Sequence, residues 1–110
     1  MCGRYSVTAY KKALMQRFRS QIAEEDFSAR YNIAPMQQAP VVVRSDSRIL
    51  KLMQWGLVPS WAKDVTIGQK MINARAETLI EKPSFRKSFE RRRCLVPADG
   101  FYEWVRREVA

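Results

Sequence analysis

Cys2 follows the initiator methionine, and this position can give it two nucleophiles. A small residue after Met1 lets methionine aminopeptidase remove the initiator, which leaves an α-amine and a thiol on the same residue. Both groups have a usable nucleophilic fraction at neutral pH. An aldehyde would condense with the amine before the thiol closes a five-membered ring, whereas a thiolate attacking an acyl carbon would make an N-terminal-nucleophile peptidase. The alternative is that Cys2 is a small side chain selected for packing in a strand.

Glu103 is a carboxylate suited to moving protons, provided that Gly100–Val105 forms a strand. Alternation then places Glu103 on the same face as Phe101 and Val105. Apolar neighbours would desolvate the carboxylate, which suits a general acid or base. The alternative is a solvent-facing or salt-bridged carboxylate, since Arg106 and Arg107 are close in sequence.

Two further pairs of side chains have the chemistry to contact nucleic acid. In the segment 70–75, alternation places Asn73 and Arg75 on one face, where the amide can bind a sugar hydroxyl and the guanidinium can bind a phosphate. Trp55 and Trp61 bracket a turn that contains a proline, and exposed rings there can stack on unpaired bases at about 1–3 kcal/mol per base. The alternatives are a polar outer strand face and core packing of the tryptophans.

The composition favours a polyanionic partner. The 110 residues include 20 Lys+Arg and 11 Asp+Glu, which give a formal charge of +9, and clustered cations attract phosphate backbones. The alternative is a soluble protein whose net charge serves only to prevent self-association. Two cysteines without a histidine supply too few ligands for a metal site, and no cofactor is predicted. No apolar run has the length of a signal peptide or a membrane span, so we expect a cytoplasmic, nucleoid-associated protein without membrane contact.

The elements that must position these residues are short. The predicted strands cover 2–7, 41–43, 48–55, 70–75, 94–96 and 100–105. Three helices are predicted: one after a cap at Thr8, one over 76–82 and one that begins at Pro83. Residues 30–35 are predicted as an ordered loop. This order predicts one domain over residues 1–110, of mixed α+β class, with a mostly antiparallel, curved or barrel-like sheet and flanking helices. The segment after Val105 lacks a capping signal, so we expect the sheet to be missing strands that a complete fold would add.

Five blocks of sequence together resemble the SRAP family, the SOS-response-associated peptidases or abasic-site processing proteins. The blocks are Met1–Tyr5, Arg30–Pro35, Trp55–Trp61, Asn73–Thr78 and Cys94–Trp104, and they occur in this order along the whole chain. The resemblance implies the SRAP fold and a role in the response to DNA damage. It also implies that the protein forms a thiazolidine crosslink with abasic sites in single-stranded DNA.

The resemblance further implies roles for individual residues. Cys2 would be the nucleophile, Asn73 would position the opened sugar, and Glu103 would shuttle protons. It also implies four residues that bind DNA, namely Arg4, Asn32, Trp55 and Arg75. The two arginines would bind phosphates.

The sequence departs from the family at one point and leaves other functions open. Family members carry a histidine in their second half that assists the site, whereas this chain has 0 His and matches the N-terminal portion of the domain. One alternative function is an autoproteolytic cysteine peptidase, for which no histidine base is present. Others are a noncovalent single-stranded-DNA-binding module and an inactive, incomplete domain. The oligomeric state is left open.

Overall fold

A computed structural model describes residues 2–23 and 26–106 of the chain. The strands are β1 (Tyr5–Val7), β2 (Ile22–Ala23), β3 (Arg30–Ile33), β4 (Gln38–Arg44), β5 (Arg48–Gln54) and β6 (Gly100–Phe101), and the α-helices are α1 (Lys11–Arg17) and α2 (Pro83–Arg91). Two 3₁₀ helices, Val65–Lys70 and Ala76–Thr78, lie between β5 and α2. Within these ranges no helix combines the length and the apolar composition needed to cross a bilayer.

The strands form two three-stranded sheets that share one core. The first has the order β3-β1-β6 and is antiparallel throughout; the second has the order β2-β5-β4, in which β4 pairs antiparallel and β2 parallel to β5. The buried core residues, which come from both sheets and from α1, are Tyr5, Val7, Leu14, Ile33, Ala39, Val42 and Leu50. The predicted α+β class with mostly antiparallel strands is confirmed, but the sheet is not closed into a barrel.

The segment after α2 connects the two sheets. Leu95 exchanges two backbone hydrogen bonds with Val42 of β4, at 2.9 and 3.0 Å. Four residues later, the Asp99 amide donates to the Ser6 carbonyl of β1 at 2.8 Å. The Asp99 carboxylate also accepts from the backbone amide of Thr8, and from its hydroxyl at 2.7 Å. The turn between Leu95 and β6 therefore joins β4 to β1.

Three predicted features of the first 35 residues differ from the structure. Helix α1 begins at Lys11 with Tyr10 as its N-cap residue, because Thr8, the predicted cap, is bonded to Asp99 instead. Residues 30–33, predicted as a loop, form β3 because they pair with β1. The strand predicted over 2–7 is shorter and covers only Tyr5–Val7.

The strands predicted on either side of α2 are mostly absent. Residues 70–75 are not a strand, because their carbonyls bond to the turn after β5: Leu57 donates its amide to Met71 at 3.0 Å, and the Trp55 indole donates to Ile72 at 2.9 Å. The segment 94–96 makes only the single bridge at Leu95. The strand predicted over 100–105 ends at Phe101. The predictions of β4, β5 and a helix beginning at Pro83 are confirmed.

Gly56 allows the turn after β5 to approach the 3₁₀ helix Val65–Lys70 closely. Its φ is +127°, and an ideal Cβ at this position would lie 2.6 Å from the Gly68 carbonyl oxygen. This φ is rarely adopted by residues with a side chain, and the backbone atom in the way cannot rotate aside. The close approach fixes the chain that carries Trp55 on one side and Met71 on the other.

We expect Gly56→Ala to lower the free energy of unfolding by about 1–3 kcal/mol, because it combines backbone strain with a steric clash. Urea denaturation followed by circular dichroism measures the change. Gly100→Ala is the matched control, since an ideal Cβ there meets no atom within 4 Å. Equal denaturation midpoints for Gly56→Ala and the unsubstituted chain would contradict the strain argument.

Candidate active site

Cys2 lies just before β1 and is held by a side chain from the far part of the sequence. The Asn73 side-chain amide donates a hydrogen bond of 2.8 Å to the Cys2 carbonyl. The Cys2 thiol is half-buried and donates to the Arg4 carbonyl at 3.4 Å. Met1, whose removal the sequence predicts, lies outside the described residues. The structure therefore brings the predicted nucleophile and the predicted asparagine into direct contact.

Trp55 fixes the backbone that carries Asn73. Its indole N–H donates to the Ile72 carbonyl at 2.9 Å, directly before Asn73. Its ring meets that of Tyr5 edge-on, with centroids 5.3 Å apart and an interplanar angle of 69°. Half-buried and engaged in this way, Trp55 connects β1 to the asparagine segment, and its predicted contact with DNA stays a prediction.

Cys2 opens onto a groove with a volume of about 780 Å³. The lining is mostly apolar, with Trp55 and Phe101 among its larger side chains. Asn73 and Gln54 provide side-chain amides, and Cys94 provides a second thiol. A small electrophile that entered this groove would meet the thiol of Cys2 in a largely apolar environment.

Glu103, Arg4 and Asn32 line a second cavity of about 750 Å³. An Arg4 guanidinium nitrogen donates to the Asn32 side-chain oxygen at 3.3 Å. Aromatic side chains complete the lining, and the Tyr102 hydroxyl donates to the Tyr31 carbonyl at 2.9 Å. Gly3 belongs to this second cavity while Cys2 belongs to the groove, so the two spaces adjoin at consecutive residues.

The environment predicted for Glu103 is wrong, because it depended on a strand over 100–105. Strand β6 ends at Phe101, which lines the groove, whereas Glu103 is exposed and lines the second cavity. The backbone after β6 still follows β1 for one step, since the Tyr102 amide donates to the Arg4 carbonyl at 2.9 Å. Glu103 thus shares the second cavity with Arg4, and it is exposed rather than desolvated.

Arg75 and Trp61 lie apart from both spaces. Arg75 is exposed at the start of the 3₁₀ helix Ala76–Thr78. Trp61 is exposed and lines a smaller cavity with Lys63 and Lys70. The predicted common face of Asn73 and Arg75 is absent, because the segment is not a strand.

Two residues of the groove had no role assigned from the sequence. Burial raises the pKa of the Tyr5 hydroxyl; the Arg30 cation opposes this shift, while the thiols of Cys2 and Cys94 add to it. Desolvation raises the pKa of the Cys94 thiol, although Cys94 as a whole residue is exposed. The only sequence signal for Cys94 was its place at the start of the Cys94–Trp104 block. Among the described residues, no three His, Cys, Asp or Glu side chains cluster as a metal site would require.

Comparison with known proteins identifies the family. The family model described as SOS response associated peptidase (SRAP) matches residues 1–110. The abasic site processing protein YoqW of Bacillus subtilis (strain 168) is 47% identical over 110 aligned residues, which cover 96% of this chain and 49% of YoqW. The abasic site processing protein HMCES of Rattus norvegicus is 35% identical over 130 aligned residues, which cover 96% of this chain and 37% of HMCES.

A solved structure agrees with the sequence matches. The crystal structure of a protein from Bacteroides thetaiotaomicron superposes with a TM-score of 0.85 at 29% identity, covering 99% of this chain and 51% of that one. The chain thus spans about half the length of YoqW and of this structural neighbour. The sequence and the fold lead to one assignment: the chain belongs to the SRAP family and corresponds to an N-terminal half of the SRAP domain.

Proposed function

We propose that this half-domain captures abasic sites in single-stranded DNA by forming a covalent bond through Cys2, as part of the response to DNA damage. The observation that carries the proposal is the contact between Cys2 and Asn73 at the mouth of the groove. The names of YoqW and HMCES as abasic site processing proteins support DNA as the substrate. The net charge of +9 favours a polyanion.

The proposed reaction needs only the two nucleophiles of a processed Cys2. After removal of Met1, the α-amine adds to the aldehyde carbon of the ring-opened sugar, and loss of one water gives an imine. The thiol sulfur then adds to the imine carbon while its proton passes to the nitrogen. New C–N and C–S bonds thereby close a thiazolidine ring, with one water released and no oxidant consumed.

Asn73 contributes by fixing where those nucleophiles lie. Its amide donates to the Cys2 carbonyl at 2.8 Å, so the N-terminal residue is restrained before DNA arrives. A restrained nucleophile loses less conformational freedom in the transition state than a free chain end does. The side-chain oxygen of Asn73 is the group that we assign to the hydroxyls of the opened sugar.

The second cavity supplies the proposed acid-base and phosphate-binding groups. Glu103 transfers protons during loss of water and ring closure, and its exposure lets it exchange protons with solvent. Arg4, oriented by its bond to Asn32, binds a phosphate next to the lesion. Arg75, exposed outside both spaces, binds a phosphate farther along the strand.

Intact-mass analysis after incubation with single-stranded DNA that carries one abasic site tests the proposal. We expect a stable adduct on the chain that lacks Met1, and no adduct on Cys2→Ala or on a chain that retains Met1. Cys2→Ser is the closer variant in shape, and like Cys2→Ala it keeps the amine but cannot close the sulfur ring. Its adduct should appear only after reduction with borohydride, which traps an imine.

Cys94→Ser is the matched control for that experiment, because it removes the other thiol of the groove. It should form the adduct as the unsubstituted chain does. A processed chain that binds the DNA without any mass increase would contradict covalent capture and would favour a noncovalent binding module. In that case binding should be sensitive to salt and indifferent to substitution of Cys2.

Asn73→Asp tests the positioning role with almost no change of shape. An ionised carboxylate cannot donate to the Cys2 carbonyl, so we expect crosslinking at saturating DNA to slow by about 3- to 10-fold, equivalent to roughly 1 kcal/mol for one hydrogen bond. Single-turnover gel assays measure the rate. Arg75→Ala should instead weaken salt-dependent binding and leave that rate unchanged. An unaltered rate for Asn73→Asp would remove the positioning role.

The thiol of Cys94 should respond to pH differently in the folded and the unfolded chain. Desolvation raises the pKa of Cys94, so its thiol stays protonated at neutral pH and reacts slowly. In Cys2→Ser, we expect the pH midpoint for alkylation of Cys94 by iodoacetamide to be higher in the folded chain than in urea. The same shift stabilises the fold below the ordinary thiol pKa, and this contribution is lost as pH rises through the folded value. Identical midpoints with and without urea would refute the shift.

A further inference from the structure

Tyr5 contributes a hydroxyl to the groove that the reaction of Cys2 leaves unused. The residue is only 7% exposed and belongs to the core, yet it is also part of the lining of the groove. Within residues 2–23 and 26–106 its hydroxyl has no hydrogen-bond partner. A buried hydroxyl normally has one, because leaving it unpaired costs free energy. The unpaired hydroxyl therefore points to a group that arrives from outside the chain.

The Tyr5 hydroxyl reaches the open space of the groove. In the described ranges, no side-chain oxygen or nitrogen of a buried residue is sealed from solvent without a hydrogen-bond partner. Since the Tyr5 hydroxyl has no such partner, it retains accessible surface, and the space that Tyr5 lines is the groove. The oxygen can therefore bond to a molecule that enters beside Cys2.

The ring that carries this hydroxyl is held on several sides. Tyr5 lies in β1, which is paired with β3 along one edge and with β6 along the other. Its ring meets that of Trp55 edge-on at 5.3 Å, and the Trp55 indole also bonds to the backbone directly before Asn73. The same tryptophan thus fixes Tyr5 and the asparagine that restrains Cys2. A donor that is in place before the substrate arrives needs no reorganisation during the reaction.

The hydroxyl lies within electrostatic range of the nucleophile. Burial is the largest cause of the raised pKa of Tyr5; the Arg30 cation opposes it, and the thiols of Cys2 and Cys94 add to it. The hydroxyl therefore keeps its proton at neutral pH and acts as a hydrogen-bond donor rather than as a base. A donor beside a nucleophile matches a carbonyl electrophile, because negative charge gathers on the carbonyl oxygen as the carbon is attacked.

We propose that Tyr5 is a further catalytic residue, whose hydroxyl donates a hydrogen bond to the aldehyde oxygen while the α-amine of Cys2 attacks the aldehyde carbon. The electron pair of the C=O bond moves onto that oxygen, and Tyr5 stabilises the charge without losing its own proton. Both protons of the amine end on the oxygen: the first gives a carbinolamine, and the second releases water as the imine forms. The proposal rests on the proposed function, in that it takes an aldehyde as the electrophile of Cys2.

Tyr5→Phe tests the proposal, because it removes the hydroxyl and keeps the ring against Trp55. With the chain that lacks Met1 and DNA that carries one abasic site, we expect the single-turnover rate of crosslinking at saturating DNA to fall about 10-fold. The urea midpoint of unfolding should not fall, since the hydroxyl bonds to no described residue. Tyr10→Phe is the matched control: Tyr10 is 82% exposed and lies outside the groove, so the rate should stay unchanged.

Reaction with a small aldehyde separates this proposal from the proposed function. The probe is 3-hydroxybutanal, which carries the aldehyde and the neighbouring hydroxyl of an opened abasic sugar, and mass spectrometry follows its addition to Cys2 in a Cys94→Ser background. We expect Tyr5→Phe to slow this addition about 10-fold in the folded chain and not at all in urea, where the groove is absent. Equal rates in the folded state would mean that the hydroxyl holds only a water, and would overturn the catalytic role. A Tyr5 effect on the small aldehyde without any adduct on abasic DNA counts only against the proposed function.

Alkylation of Cys2 by iodoacetamide distinguishes a hydrogen-bond donor from a residue that only shapes the groove. Displacement of iodide by the thiol places no new charge on a carbonyl oxygen, so Tyr5→Phe should leave this rate unchanged in the Cys94→Ser background. An equal loss of alkylation and of aldehyde addition would indicate an altered groove and would also overturn the catalytic role.

Discussion

Strand β1 is held by β3 along one edge and by β6 along the other, while Tyr5 and Val7 anchor it in the core. A strand of only three residues is held in place here, because both of its edges are paired and its alternate side chains are buried. Cys2 lies only three positions before Tyr5, so its location follows from this anchor. Asn73 then restrains the backbone between Cys2 and β1 through its bond to the Cys2 carbonyl. The location of Cys2 therefore depends on the burial of Tyr5 and Val7.

The elements that follow local rules were predictable, and those that depend on a distant partner were not. Strands β4 and β5 have dense apolar residues and lie next to each other in sequence, and α2 has a proline in its first turn. The segment 70–75 alternates like a strand, but the Trp55 indole and the Leu57 amide bind its carbonyls first. Alternation describes the side chains of a segment and says nothing about which groups compete for its backbone.

The same distinction runs through the site. The position of Cys2 in the sequence was enough to predict a nucleophile there, because the predicted chemistry needs only the removal of Met1. The bond from Asn73 to the Cys2 carbonyl joins residues 71 positions apart and has no local signature. The separation of Glu103 from the apolar groove was missed for a related reason, since β6 stops two residues before it.

The pairing of Tyr5 with Phe101 joins the two ends of the described chain and bears on the order of folding. Contacts between distant residues form late, because the loop between them must be closed first. During synthesis the β4–β5 hairpin can form as soon as it is made, whereas β1 must wait for Phe101 before its second ladder exists. The strand that follows Cys2 therefore gains its second paired edge only after the segment that carries Phe101 has been made.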